Sequence, residues 1–464
     1  MKNEKTFWLL ALAFIMWQPV IDVLTSASLL LLNISLTVGV IVRVLFMAAI
    51  VLMLLWKARQ SRIARKYVFY LLAVAAVIAI NIGLNMNVKD PYYIGSELKF
   101  FNKIVYFPIL FTGFSILYLY LKREQVPFKE KTTSYFLYAS LIISAVFIVS
   151  FITGTSLSNY SHTKIGFTGW FFAGNEIGAI MAIILPITAL YAIEKTNRVK
   201  EWRYWIPFVL LAVSMQFLGT KVGYGGILVV LLSVFFTMLI LYFTKERTEK
   251  TRSNMLVSLV LIAVLAVTTP ITPVFHNMFA HLSLLNIDLD FGGKEKKVDP
   301  DTGEEVPEED DGDKEDDITN EQIQNLVFSS REKYLQEMKE QFAEAPVSQK
   351  LFGMGFAGNY EEPEPGKTPR MIEMDFFDLF FSLGIIGFLT MMSLPLYYVI
   401  RFIIHFVRNI KETFTPVNVM YGVAFILGLG ISATAGHVLT APAVSIYVAA
   451  VMALLMVREG IIKE

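Results

Sequence analysis

Three carboxylates crowd the start of one apolar segment, "IEMDFFDLFFSLGIIGFL" at 372–389. Glu373, Asp375 and Asp378 fall within six residues, and Asp375, Asp378 and Ser382 share one helical face at i, i+3, i+7. Acidic residues at a helix start are favoured by the helix dipole, which accounts for one of them. Three exceed what capping requires. Burial raises a carboxyl pKa towards working pH, so acid or base chemistry is one reading. Holding a divalent cation is another.

Two further stretches combine glycine with polar groups. In "TGWFFAGNEIGAI", 168–180, Gly169, Gly174 and Gly178 permit close approach, while Asn175 and Glu176 sit at a helix start that favours anions. Helix packing and capping explain the same residues without a ligand. In "FLGTKVGYGG", 217–226, a very short turn sets Lys221 at a membrane edge, as an anion site or a lipid anchor. Arg43 lies inside an apolar segment, where a charge needs a partner, and Asp22 is the expected one. Arg331 falls on the apolar stripe formed by Ile323, Val327, Tyr334, Met338 and Phe342. It needs an anion there or snorkels to lipid phosphate. Lys99 and Lys103 are additional cations, and His437 lies between the last two apolar segments, lining a cavity or resting at the interface.

The elements that must position these groups are membrane helices. Of 464 residues 55% are hydrophobic and 17% charged, against about 25% charged in soluble domains. Mean hydropathy is +0.55, and apolar runs near membrane-spanning length recur along the chain. The fold class is therefore an all-α polytopic membrane protein. The formal charge is zero, so no basic field points to nucleic acid, and without cysteine there is neither disulfide nor thiolate chemistry. The five histidines show no metal spacing. The first apolar run lacks a small-residue cleavage site and reads as a retained helix.

Twelve spans are expected, near 7–27, 36–56, 67–86, 102–121, 134–154, 171–193, 204–219, 224–244, 255–274, 376–400, 417–434 and 438–457. Basic residues follow every second span, at 57–66, 122–131, 195–203, 245–252 and 401–411. Cytoplasmic loops carry such an excess, which places both termini in the cytoplasm and the three polar stretches outside. The chain then divides into spans one to nine (1–274), a long external loop (275–374) and spans ten to twelve (375–464). The loop holds "VDPDTGEEVPEEDDGDKEDD", too charged and apolar-poor to fold alone, without the spacing of a calcium-binding hand. The stripe carrying Arg331 follows it as an amphipathic helix that rests on the membrane or caps the bundle.

Taken in order, these segments resemble a known family. "GWFFAGNEIGAIMAIILP" is similar to its glycine–aromatic–asparagine–glycine signature, and "LGTKVGYGG" occupies the place of its outer "SR-G" turn. "SSREKYLQEMKEQFAEAPVSQKLFGMGF" resembles its Arg-bearing loop helix and "pLfGxGf" turn, and "EMDFFDLFFSLGIIG" its "HNxxLxxxxxxGxxG" helix start. This is the O-antigen ligase and O-antigen polymerase superfamily of bacterial envelopes, matched over about 160–400. The resemblance implies a GT-C-like glycosyltransferase in the cytoplasmic membrane. Such an enzyme moves a glycan from undecaprenyl diphosphate to a glycan, lipid or wall acceptor outside the cell.

Two departures stand out. Lys221 replaces the arginine of the outer turn, and Glu373 stands where ligases carry histidine. These fit a Gram-positive member that polymerises or attaches capsule-like, exopolysaccharide or teichuronic-type chains. A lipid diphosphate gains negative charge as it leaves, so fixed cations stabilise the transition state. Lys221 and Arg331 are the first candidates, then Arg43, Lys99 and Lys103. Glu373 or Asp375 serves as base, with Gly174, Asn175, Glu176, Asp378 and His437 binding substrate. Diphosphate is already a good leaving group, so no metal, cofactor or covalent intermediate is demanded. The competing reading is a twelve-helix transporter or lipid-glycan flippase. Against it, the polar groups gather at one membrane edge rather than along the middle.

Overall fold

The computed structural model describes residues 2–34, 37–160, 164–244, 247–277, 331–359 and 369–464. The acidic run and the first part of the amphipathic stripe, Ile323 and Val327, lie outside the described residues. Ten described helical stretches are long and apolar enough to cross a membrane. Helix α1 spans Lys2–Leu30, α2 Val38–Ala58, α3 Arg62–Val88, α4 Ile94–Ile104, α5 Tyr106–Arg123 and α6 Phe128–Ile152. A two-stranded antiparallel ribbon follows, β1 (Leu157–Ser158) with β2 (Phe167–Gly169). Then come α7 (Gly174–Lys195), α8 (Ile206–Leu218), α9 (Lys221–Thr244) and α10 (Glu249–Thr268). The rest comprises α11 (Arg331–Glu344), α12 (Val347–Phe352), α13 (Asp375–Arg408), α14 (Pro416–Thr434) and α15 (Pro442–Arg458). Helices α4 and α5 together make one candidate span.

Two of the twelve expected spans form as shorter helices. Helix α8 has 13 residues between Trp205 and the left-handed Gly219, and α15 has 17. Neither reaches the roughly 20 residues that cross a bilayer unaided. Helix α15 is nonetheless buried from Ala443 to Val457 and packs on α5, α7 and α14, so protein rather than lipid surrounds it.

Local chemistry explains the helix starts. Thr37, Ser61, Thr248 and Thr415 cap α2, α3, α10 and α14, each hydroxyl accepting from a backbone N–H three residues on. Within the helices, Thr112, Ser115, Thr132 and Thr188 return their hydroxyls to preceding carbonyls, satisfying donors that hydrocarbon cannot. Helix α7 is the centre of the bundle, in contact with α6, α8, α9, α14 and α15. Around it the helices sort by surroundings: the hydrophobic window of α7 is 89% buried and that of α2 only 17%. The windows of α10 and α3 are nearly as open as that of α2, at 22% and 28% buried, so these three helices lie at the periphery of the bundle.

One helix is broken on purpose. At Gly384 the backbone of α13 leaves helical geometry, with φ 68° and ψ −177°. The carbonyls freed there, those of Phe381 and Ser382, accept from Met354 and Gly355 N–H at 2.9 and 3.0 Å. A side chain at Gly353 would strike the Ser382 carbonyl oxygen at 2.1 Å, and one at Gly384 would meet the Gly353 nitrogen at 2.4 Å. The turn 353–355 and the helix break are thus one contact between two backbones, and each freed group keeps a partner.

Candidate functional site

A cavity of about 470 Å³ opens between α1, α2, α4 and the beginning of α7. Asp22 and Arg43 face each other across α1 and α2 as an ion pair, the partnership expected from the sequence. Arg43 Nε also donates to Gln18 Oε1 at 3.1 Å. Lys99 and Lys103, one turn apart on α4, line the same space, with Tyr106 of α5 and Glu176 of α7. Asp22 Oδ2 and the Tyr106 hydroxyl are buried without a hydrogen-bond partner. A buried polar atom left unmatched costs roughly 1–3 kcal/mol, so the cavity offers unmet hydrogen-bonding capacity to whatever enters it. Glu176 stands within electrostatic reach of Asp22, Arg43, Lys103 and His437, which links the cavity to a second group of charges.

That second group gathers around Glu373, just before α13. Arg331, the first described residue of α11, donates to Glu373 Oε2 at 3.1 Å. His437 Nε2, from the turn between α14 and α15, lies 3.5 Å from the same oxygen. The Glu373 side chain stays 47% exposed, while those of Arg331 and His437 are 16% and 30% exposed. His437 and Arg331 hold the Glu373 carboxyl below the usual carboxylate range, against the opposing effect of burial. Burial works against a charged His437, but the Glu373 carboxylate outweighs it, with Glu176 and Asp375 adding, and its pKa is raised. Both Glu373 and His437 adopt left-handed backbone angles, φ 65° and 59°. Non-glycine residues rarely do so without a surrounding structure that holds them.

The structure separates the three crowded carboxylates. Asp375 is fully buried, and its two oxygens accept four hydrogen bonds. These come from Ser432 Oγ at 2.9 Å, the Val438 and Leu439 amides at 2.9 and 2.7 Å, and Thr440 Oγ1 at 2.6 Å. It anchors the turn that carries His437 and leaves no oxygen for an acceptor hydroxyl. Asp378 accepts from the Ile372 and Met374 amides at 2.9 and 3.0 Å, folding the lead-in back over its own helix. The side chains that share a face in the sequence therefore diverge. Among the described residues they do not converge as ligands of a cation. Only Glu373 keeps an accessible oxygen, because it precedes the helix and points away from it.

The two glycine-rich turns do meet, but as packing. Asn277 Nδ2 donates to the Ile165 and Gly219 carbonyls at 2.7 and 2.8 Å, and Asn159 Nδ2 to the Leu218 carbonyl at 3.0 Å. Helix α7 turns Glu176, Ile177 and Ile180 to the cavity and Gly178 towards Leu218 and Thr220. Lys221, at the start of α9, therefore begins beside a different face of α7 from the cavity, and it does not line it. Asn175 is exposed and Gly174 lies against Asn159, so of the three expected binding residues in this stretch only Glu176 reaches the cavity, where it joins Arg43, Lys99 and Lys103.

Sequence reasoning missed the groups that seat the loop. Lys89 Nζ pairs with Glu97 Oε1 at 2.7 Å and donates to the Met354 and Phe356 carbonyls, both at 3.0 Å. Glu97 Oε2 accepts from the Phe356 amide at 2.7 Å. Asn81 donates to the Gly353 and Ser382 carbonyls at 3.1 and 2.9 Å, and Asn85 to Gly353 at 3.0 Å. Asparagines four residues apart on α3 are the signal that was available. The seated turn carries α11, whose Tyr334, Met338 and Phe342 pack on the lead-in of α13 as a cap.

Compared with curated proteins, the chain matches none. Compared with models of protein families, residues 3–461 match the model for O-antigen ligase like membrane proteins. That match runs over nearly the whole chain, α1 to α15 together, and the chain belongs to the family of O-antigen ligase like membrane proteins.

Proposed function

We propose that the protein is a GT-C-like membrane glycosyltransferase that moves a glycan from an undecaprenyl-diphosphate donor to an acceptor on the outer side of the cytoplasmic membrane. The product belongs to capsule-like, exopolysaccharide, teichuronic-type or O-antigen-like biosynthesis. One observation carries this reading: a cavity holds Arg43, Lys99 and Lys103 together with Glu176, and Glu176 stands within electrostatic reach of His437 in a half-exposed Glu373–His437 pair. The chemistry requires those two halves. Cations at the diphosphate stabilise charge that grows as the glycosidic bond breaks, and a proton acceptor serves the incoming hydroxyl. Asp22, Glu176 and Tyr106 add hydrogen-bonding capacity for sugar hydroxyls. Arg331 stands at the acceptor side, and Lys221 is assigned to the membrane interface. The alternating basic loops support the orientation, with both termini in the cytoplasm.

The experiment is reconstitution in phosphatidylglycerol–phosphatidylethanolamine vesicles with undecaprenyl-diphosphate glycan, followed on a gel. Wild type should lengthen or transfer the glycan. Lys99→Ala combined with Lys103→Ala should slow turnover by about 10²-fold, as the loss of electrostatic stabilisation does elsewhere. Movement of the intact donor between leaflets without any transfer would overturn the reading in favour of a flippase.

A further inference from the structure

We propose that His437 is the group that accepts the acceptor's proton and that Glu373 is the residue that positions it, an assignment that rests on the transferase reading above. The geometry distributes the work unequally. Glu373 spends its Oε2 on Arg331 and His437 together. His437 turns Nε2 to that oxygen at ion-pair distance, 3.5 Å, and among the described residues the ring makes no protein hydrogen bond. With Nε2 facing Glu373, Nδ1 is the nitrogen left for a hydroxyl.

The backbone is built to hold this arrangement. Gly436 lies so close to Glu373 that a side chain there would meet the Glu373 carbonyl oxygen at 2.4 Å. On the far side of the turn, Asp375 takes the Val438 and Leu439 amides and the Thr440 hydroxyl. His437 is thus pinned from both flanks, and it and Glu373 are each kept in a left-handed conformation that the chain would otherwise avoid. A staple serving stability alone could use any hydrogen-bonding pair in relaxed geometry.

The surrounding charges agree. The ionisable groups acting on His437 are Glu373 and Asp375 at α13 and Glu176 on α7, with Arg331 beyond Glu373. The carboxylates raise the imidazole above 6.5, while Glu373 itself is pushed down. A base works best with its pKa near the operating pH, which favours the imidazole over the carboxylate. In the step, the acceptor oxygen bonds to the anomeric carbon of the donor sugar. The bond from that carbon to the diphosphate oxygen breaks, its electron pair leaving with the lipid diphosphate. The hydroxyl proton passes to His437 Nδ1, and the imidazolium formed is paired with Glu373.

The test is the pH dependence of transfer in the vesicle assay, with donor binding measured alongside. His437→Gly suits the left-handed backbone; it should keep donor binding, lose about 10²-fold or more in turnover, and recover part of it with added imidazole. His437→Gln is the second variant should the first not insert. In wild type, turnover should rise with pH through a midpoint above 6.5, as the imidazole loses its proton. Glu373→Gln removes the charge that raises it and should move that midpoint to lower pH. A midpoint unmoved by Glu373→Gln, or His437→Gly turning over within threefold of wild type, overturns the assignment. Absence of transfer by wild type itself would instead fell the transferase reading.

Discussion

Two ion-paired carboxylates hold the same loop to the same bundle, and they are opposites. Glu97 is sealed: its side chain is 0% exposed and that of Lys89 1%, and both oxygens are taken. Glu373 is paired with Arg331 and His437 yet remains 47% exposed. The first pair spends its hydrogen bonds on itself and on backbone groups of 354–356. The second leaves capacity over. Burial with complete pairing makes a structural joint, while partial pairing at a half-exposed position makes a group that chemistry can use.

The largest effect should come from breaking the sealed joint. Glu97→Gln, or Lys89→Met alone, strands a charge in a dry site and should cost about 3–5 kcal/mol, lowering Tm in detergent markedly. Lys89→Met combined with Glu97→Leu should recover part of that loss, because neither charge is then left alone. If the single variants melt like wild type, the pair does not seat the loop.

The half-open cluster should respond the other way. Arg331→Ala removes one partner of an exposed carboxylate, so Tm should change by no more than about 1 kcal/mol of stability. Turnover in the vesicle assay should nevertheless fall, by roughly 10-fold or more, because Glu373 loses its orientation. Equal losses in Tm and turnover would erase the distinction between the two pairs.

The pH dependence of stability sharpens the same contrast. His437 has a raised pKa in the folded protein, so its contribution is fully present below 6.5 and is lost as pH rises through the folded value. Glu373 has a depressed pKa, so its contribution is present above 4.5 and lost as pH falls through the folded value. Between those limits both are charged, and Tm should pass through a shallow maximum there. Glu373→Gln should flatten it, as differential scanning fluorimetry across pH 4–9 would reveal.

Lys221→Ala should show the smallest effect, under about threefold in turnover, while Lys103→Ala shows much more. The two lysines begin from different faces of α7, and only Lys103 reaches the cavity. A loss of about 10²-fold at Lys221 would move the diphosphate site to the α8–α9 turn.

Much of the fold was legible. Apolar runs mark the helices, and the partner of Arg43 could be inferred because an intramembrane charge demands one within reach. The separate fates of Glu373, Asp375 and Asp378 were not legible. Helical spacing puts two of them on one face, but their partners are amides of the 438–440 turn and of the lead-in, contacts no periodicity encodes. The break at Gly384 was equally hidden, since a glycine in an apolar run also serves as a packing residue. Its purpose appears only when residues 353–355 arrive to take the freed carbonyls.

By itself, then, the sequence determined the solvent of this protein, hydrocarbon around a bundle of long apolar helices; of the twelve spans it led one to expect, ten described stretches are long and apolar enough to cross a membrane. That follows from composition and periodicity, which are local, and from the cost of burying unpaired polar groups in lipid. The tertiary structure decided which polar groups face one another. Lys99 and Lys103 join Arg43, Glu373 meets His437, and Lys89 with Glu97 reaches residues 354–356. The physical reason is that a buried or half-buried charge takes whatever partner the packed helices bring to it, and except for Lys89 with Glu97 those partners lie tens to hundreds of residues away along the chain.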